Sequence, residues 1–363
     1  MPGMIYGTAW KGLDTERLTY AAIQAGFRAV DTGSVGDHYD EQAVGRAIRS
    51  ALADGFVKRE ELYIQTKFTW YEAGKQGRPN VWPYDPQAPL SEQIQQSVES
   101  SLCRLEPGVR GAGGDESGID GEAYLDCLIL HSPSPDGSLT KTYQALKLLD
   151  SYTPHPIRTI GISNIHLPDL TALFPRPGNK ADLQLAIRRG LEPSPHSSLR
   201  LPSLIQNPFV DHPRSYLPTF DREVRQFCLD REIAYQAYHV LTGNRYLWDG
   251  TAPGPVTKLA KLVGISNPEA LFGLCCGCGV RCLSGTRRVS EGRSYGPGQQ
   301  EKIVMWRKSG REAGLWWRAC LGAFRGWVNE GRWVTENDVE DAFDEMTKDA
   351  RDTALEKRIG IAL

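Results

Sequence analysis

A closed (β/α)8 TIM barrel is the fold class that this 363-residue chain predicts, on three observations. Eight short strand-like runs alternate with helix-like runs along most of the sequence. The strand-like runs are apolar on both faces, as a parallel sheet covered by outer helices requires. The length suits one such barrel, which takes roughly 250 residues before insertions. A doubly wound sheet fits less well, because MIYGTAW lacks the glycine-rich turn of a dinucleotide-binding βαβ unit.

The runs follow in order. MIYGTA, FRAVDT, LYIQTKF, YLDCLILHS, IRTIGIS, PSLIQN, IAYQAY and VRCLS read as strands, being short, apolar and rich in β-branched or aromatic residues. Residues 14–25, 41–53, 90–105, 139–151, 167–174, 219–230 and 255–276 carry helical periodicity, the last broken near Gly264. Alternation of this kind predicts right-handed crossovers between parallel strands. Three segments break the rhythm. Residues 71–89 form a long loop with prolines and aromatics, and 175–201 is polar and proline-rich before the sixth strand. Residues 287–327 follow the eighth strand, rich in Gly, Arg and Trp, with no clean periodicity. The expectation is one domain over 1–363, with 175–201 and 287–327 as irregular insertions that leave Trp306, Trp316, Trp317 and Trp327 exposed. Residues 334–346 return to helical period, with Thr335 placed as a cap.

Charge is nearly balanced, 42 basic against 44 acidic residues, which gives no electrostatic footprint for nucleic acid. No apolar stretch approaches the roughly 18 residues of a membrane span. The chain opens on MPGMIYGTAW, without the pattern of a secretion signal. A cytoplasmic protein is the expectation. Of eight cysteines, Cys103, Cys127 and Cys228 sit singly in apolar patterns, as buried thiols do. The cluster CCGCGVRC holds Cys275, Cys276, Cys278 and Cys282, but no histidine stands at ligand spacing. It reads as a helix end passing through glycines into a strand, and no metal is expected.

Barrel enzymes gather their reactive groups where strands end. The strand exits here are Asp31, Lys67, His131, Ser163 with Asn164, Gln206 and Tyr238, and the loop after the second strand adds Tyr39. A phenol has an ordinary pKa of about 10 and is a weak acid at neutral pH. A neighbouring ammonium favours its phenolate, and a carboxylate keeps that ammonium charged in a closed site. Asp31, Lys67 and Tyr39 can therefore form a proton donor, with His131 orienting a carbonyl oxygen. Hydride delivery to that carbonyl is the matching step, and it needs a nicotinamide because no side chain supplies hydride.

These residues resemble the aldo-keto reductase superfamily. GFRAVDT with YDEQAVGRAI, LYIQTKF, YLDCLILHSP, TIGISN, PSLIQNPF, IAYQAYHVL and LCCGCGVRCLSGT are similar, in order, to its motifs from Met4 to Thr286. The resemblance implies that Tyr39 donates the proton, with Lys67 and Asp31 lowering its pKa, and that His131 orients the substrate. It implies that Ser163, Asn164 and Gln206 hold the nicotinamide carboxamide and that Tyr238 stacks on its ring. Gly7 and Thr8 line the floor, and Ser284, Thr286 and Arg287 lie at the adenosine phosphates. The implied activity is reduction of an aldehyde or ketone with NADPH, NADH being the other nicotinamide donor. The alternative is a nicotinamide-binding regulatory protein of the same fold with little or no turnover. The implied partner is a small carbonyl compound. Trp70, Tyr71, Trp82 and Tyr84 either favour an apolar one or simply pack their loop onto the barrel. Besides the larger departure at 287–327, the sequence departs from the family in four places. Tyr39 lies eight residues past Asp31, a longer step than most members show. Leu283 stands where the eighth strand usually has lysine, and Arg287 and Arg288 are the nearest replacements for an arginine on the 2′-phosphate. Glu232 stands where the seventh strand is usually preceded by glycine.

Overall fold

The computed structural model describes residues 1–71, 82–106, 123–191, 201–208, 220–251, 253–285, 297–330 and 334–359. In chain order the elements are β1 (Met4–Gly7), α1 (Thr15–Gln24), β2 (Ala29–Asp31), α2 (Glu41–Ala53), β3 (Tyr63–Phe68), α3 (Leu90–Leu105), β4 (Leu125–Leu130) and α4 (Leu139–Asp150). They continue as β5 (Ile157–Ser163), α5 (Leu167–Leu173), α6 (Lys180–Arg188), β6 (Leu204–Pro208), α7 (Arg222–Asp230) and β7 (Ala234–Tyr238). Last come α8 (Arg245–Trp248), α9 (Pro255–Val263), α10 (Asn267–Gly277), β8 (Arg281–Ser284), α11 (Pro297–Lys308), α12 (Arg311–Glu330) and α13 (Glu336–Ile359). The eight strands close into a barrel in sequence order, so the predicted fold and all eight predicted strands are present.

Strand register is what positions the site. β2 pairs with β3 so that Asp31 faces Gln65, and β3 pairs with β4 so that Lys67 faces Ile129. β5 and β6 align Ser163 with Gln206. Strand side chains alternate, so Gln65 and Lys67 share one face of β3 while Thr66 takes the other. Outside, α2 presents Ala43, Val44, Ala47, Ile48 and Ala51 as its buried stripe, and the Asp40 carboxylate accepts from Ala43 N at 2.8 Å as its cap. Glu232, just before β7, takes a φ of 56°, the backbone state that glycine adopts without cost.

The chain forms two compact units. The first is Met1–Asn207, Glu223–Tyr238 and Leu283–Ser294; the second is Pro208–Arg222, His239–Cys282 and Tyr295–Leu363. In the second, α12 buries Leu315, Ala319, Cys320, Ala323, Phe324, Trp327 and Val328. Trp316 stacks on Phe343 of α13 at 3.7 Å between ring centroids. Thr335 does cap α13: Asp338 N donates to its Oγ1 at 3.3 Å, and Thr335 N donates back to Asp338 Oδ2 at 2.7 Å.

The two segments expected to be irregular are not irregular where they are described. In 175–201, α6 forms, with Asn179 Oδ1 accepting from Ala181 N and Asp182 N. In 287–327, residues 287–296 lie outside the described residues, and α11 and α12 occupy most of the rest. The α12 residues buried in the second unit recur at helical spacing. Trp316, Trp317, Arg318 and Gly322 hide that stripe from a sequence reading. The tryptophans are not exposed either: Trp327 is buried, and Trp306, Trp316 and Trp317 are half-buried.

Candidate active site

The loop after β2 first continues along β3. Thr32 N donates to Gln65 O at 3.0 Å, Ser34 N to Lys67 O at 3.3 Å, and Ser34 Oγ to the same oxygen at 2.8 Å. A tight turn follows, with His38 N and Tyr39 N both reaching back to Val35 O. Gly36 and Asp37 are exposed at its tip. The extra residues between Asp31 and Tyr39 thus bulge outward, and Tyr39 returns over Lys67, whose Nζ lies 4.8 Å from the ring centroid. Gly33 lets the ring through, since a Cβ there would sit 2.8 Å from its Cδ2 and Cε2.

Lys67 and Asp31 are each 2% exposed. Lys67 Nζ donates to both Asp31 oxygens at 2.7 Å and to Thr32 O at 2.6 Å. Burial pushes the Lys67 ammonium down, but the charges of Asp31 and Tyr39 outweigh it, and its pKa ends above the ordinary lysine value. Tyr39 differs from the expectation of a lowered phenol. Burial raises it, Lys67 pulls it down by less, Asp31 raises it further, and the net direction is up. The reason is that a phenolate in this site loses water before it gains a cation.

His131 completes the group. Its Nδ1 lies 2.7 Å from Thr69 Oγ1, and its ring stands edge-on to Tyr39 at 6.1 Å. Asn164, at φ 57°, donates from Nδ2 to His131 O at 2.9 Å and accepts from Tyr238 OH. Ser163 Oγ donates to Gln206 O at 2.7 Å. Gly7 ends β1 beside Asp31, and Thr8 follows it, its Oγ1 donating to Asp31 O at 3.0 Å. Ser284 is buried at the end of β8, and Thr286 and Arg287 lie outside the described residues. Of the loop aromatics, Trp70 and Tyr84 are buried and brace the loop, Trp70 Nε1 donating to Ser132 O at 2.9 Å and Tyr84 OH to Thr69 O at 2.5 Å. Tyr71 and Trp82 are half-buried, their rings 5.4 Å apart.

Three residues escaped the sequence reading. Gln65 and Gln236 are fully buried inside the barrel with Gln206. Gln65 Nε2 donates to Asp31 Oδ1 at 2.6 Å and Gln206 Nε2 does so at 3.0 Å, while Gln236 Oε1 accepts from both amides. Lys11, buried after β1, donates from Nζ to Gly285 O and lies over Tyr6 at 5.8 Å. The signal for it was its place at a strand exit.

One end of the closed parallel barrel thus gathers a phenol, an ammonium, a carboxylate and an imidazole. Residues 6–109 match the model of the aldo/keto reductase family. Aldo-keto reductase AKR2E4 of Bombyx mori is 30% identical over 168 residues, covering 44% of this chain and 43% of that protein. Methylglyoxal reductase DkgA of Yersinia pestis is 28% identical over 167 residues, covering 46% of this chain and 45% of the enzyme. The chain thus spans less than half the length of these curated relatives. Among solved structures, the silkworm aldo-keto reductase AKR2E5 superposes with a TM-score of 0.53 at 16% identity over 84% of each chain. An aldo/keto reductase from Brucella melitensis gives 0.51 at 20% identity, over 84% of this chain and 95% of its own. Over its N-terminal part the chain is thus similar to the aldo-keto reductases, and over most of its length it shares their fold. No helix among the described residues is long and apolar enough to cross a membrane.

Proposed function

We propose that the protein reduces an aldehyde or ketone to the alcohol with NADPH, Tyr39 acting as general acid. The observation that carries this reading is the buried contact of Tyr39 with an ammonium that Asp31 clamps through two 2.7 Å bonds. The raised phenol is protonated at neutral pH, ready to donate. Once it has donated, the Lys67 charge offsets the phenolate. His131 holds the carbonyl oxygen toward Tyr39. Ser163, Asn164 and Gln206 offer the amide and hydroxyl set that suits a carboxamide, and Tyr238 offers the ring against it. Lys11 supplies the cation for phosphate that Leu283 does not, beside Ser284, with Arg287 and Thr286 as further phosphate contacts. A nicotinamide bound there supplies the hydride.

The test is NADPH oxidation by the purified chain with a reactive aromatic aldehyde, alongside the Tyr39→Phe variant. Turnover should fall by at least about 100-fold in the variant, while quenching of protein fluorescence by NADPH persists. A variant that keeps its rate removes Tyr39 from the chemistry. Binding without turnover across a carbonyl panel supports the regulatory protein instead.

A further inference from the structure

The segment CCGCGVRC, which the chemistry above does not use, forms a thiol cluster within the second unit. α10 ends at Gly277, and Gly279 takes a left-handed φ of 80°. Val280 N then donates back to Cys275 O at 3.1 Å, and Gly279 N to Cys276 O at 3.0 Å. This 6→1 closure reverses the chain at once into β8. It brings Cys282 alongside the last helical turn, where its thiol is in hydrogen-bonding contact with Cys275 and Cys276. Cys275 and Cys282 are fully buried, and Cys276 is half-buried. Among the described residues no group of three His, Cys, Asp or Glu side chains could hold a metal ion. The contact of Cys282 with Cys276 places the cluster for thiol chemistry. Its two partners are unequal. The hydrogen bond from Cys282 and the Arg281 guanidinium hold Cys276 below the ordinary thiol range against its burial, whereas burial drives Cys282 well above it. That is the asymmetry of an attacking and a resolving thiol.

We propose that Cys276 is a peroxide-reactive thiol and that Cys282 resolves it into an intrachain disulfide between α10 and β8. The Cys276 thiolate attacks one oxygen of hydrogen peroxide. The O–O bond breaks, leaving Cys276 as the sulfenic acid and releasing hydroxide. Cys282 gives its proton to that hydroxide, and its sulfur attacks the sulfenic sulfur. The S–O bond breaks, and the departing hydroxide takes up the proton that Cys276 gave to solvent when it ionised, leaving as the second water. Two thiols and one peroxide become one disulfide and two waters. The crosslink would fall two residues before Ser284 on the same strand.

The experiment treats the full-length chain with a few equivalents of hydrogen peroxide, blocks remaining thiols with N-ethylmaleimide under denaturing conditions, and maps the peptides by mass spectrometry. The expected product has lost two thiols and about 2 Da, with Cys276 linked to Cys282. Cys103, an exposed thiol, is the internal control and should react several-fold more slowly than Cys276. In Cys282→Ala, dimedone should trap the sulfenic acid on Cys276. Oxidation of Cys103 ahead of Cys276, or a product in which Cys276 is over-oxidised while Cys282 stays free, would overturn the proposal. The wild-type map decides even if a variant folds poorly. None of these readouts depends on reductase turnover.

Discussion

Replacing Lys67 with methionine tests the central pair. Lys67 and Asp31 are both shut from water, and Lys67 makes three bonds there, two to the carboxylate and one to Thr32 O. Methionine keeps the volume and flexibility of the lysine stem, so the packing loss is small. Removing one partner of a buried pair costs about 3–5 kcal/mol, mostly from the charge left behind. Asp31 would still receive Gln65 at 2.6 Å and Gln206 at 3.0 Å, which puts the expected loss at the lower end, about 3 kcal/mol. In a unit of this size that is a fall of roughly 6–12 °C in Tm. Scanning calorimetry at neutral pH measures it on the transition of the first unit. The double variant Asp31→Asn, Lys67→Met removes the stranded charge but keeps an oxygen for both glutamines. It should recover about 2 kcal/mol of the loss. A single variant that loses less than about 1 kcal/mol, or a double variant no more stable than the single, would refute the reading of this pair as a desolvated ion pair.

Three further outcomes follow from the same geometry. Gly33→Ala drives a methyl group to 2.8 Å from the Tyr39 ring, so steady-state kinetics should show kcat reduced by about tenfold or more with little change in Tm. Gly45→Ala puts its methyl 1.8 Å from Arg104 O, which forces α2 from α3; urea unfolding should report a loss of about 2–3 kcal/mol. Glu41 is buried behind the site, accepting from Thr66 Oγ1 at 2.5 Å and Ser101 Oγ at 2.8 Å, and burial raises its pKa. A raised carboxyl contributes stability that is full below its unfolded pKa of about 4.3 and is lost as pH rises through the folded value. Glu41→Gln should therefore gain on the wild type as pH climbs from about 4 to 7; parallel melting curves across that range would count against it.

How much of this was legible in the sequence depended on whether a residue's neighbours were local. Asp31, Lys67, His131 and Ser163 could be placed because each ends a strand, and barrel closure brings strand ends together whatever lies between. Tyr39 needed one further inference, that the residues after Asp31 fold outward, and the turn onto Val35 does this. Lys11 was not singled out, because its acceptor, Gly285, is 274 residues away. α12 was missed because its apolar stripe is interleaved with half-buried tryptophans and exposed arginines, which blurs the period.

The glutamines were illegible for a deeper reason. A polar residue in a strand normally marks the solvent face, and neither Gln65 nor Gln236 stood out as a core position. Gln65 shares its face of β3 with Lys67, and the register of β2 on β3 sets it beside Asp31. Once there, the amides have one self-consistent arrangement. Gln236 Oε1 takes a donor from each of the other two, and Gln236 Nε2 donates to Gln65 Oε1 at 2.7 Å. This fixes which end of Gln65 is nitrogen, and that nitrogen points at Asp31 Oδ1. Turning either Gln65 or Gln206 over would set a carbonyl oxygen against the carboxylate. The buried network therefore accepts only a group that takes hydrogen bonds at position 31, held from below by two amides and from above by Lys67. An acceptor so held keeps the ammonium charged, and under the proposed function a charged ammonium beside the phenol is what Tyr39 needs in order to part with its proton.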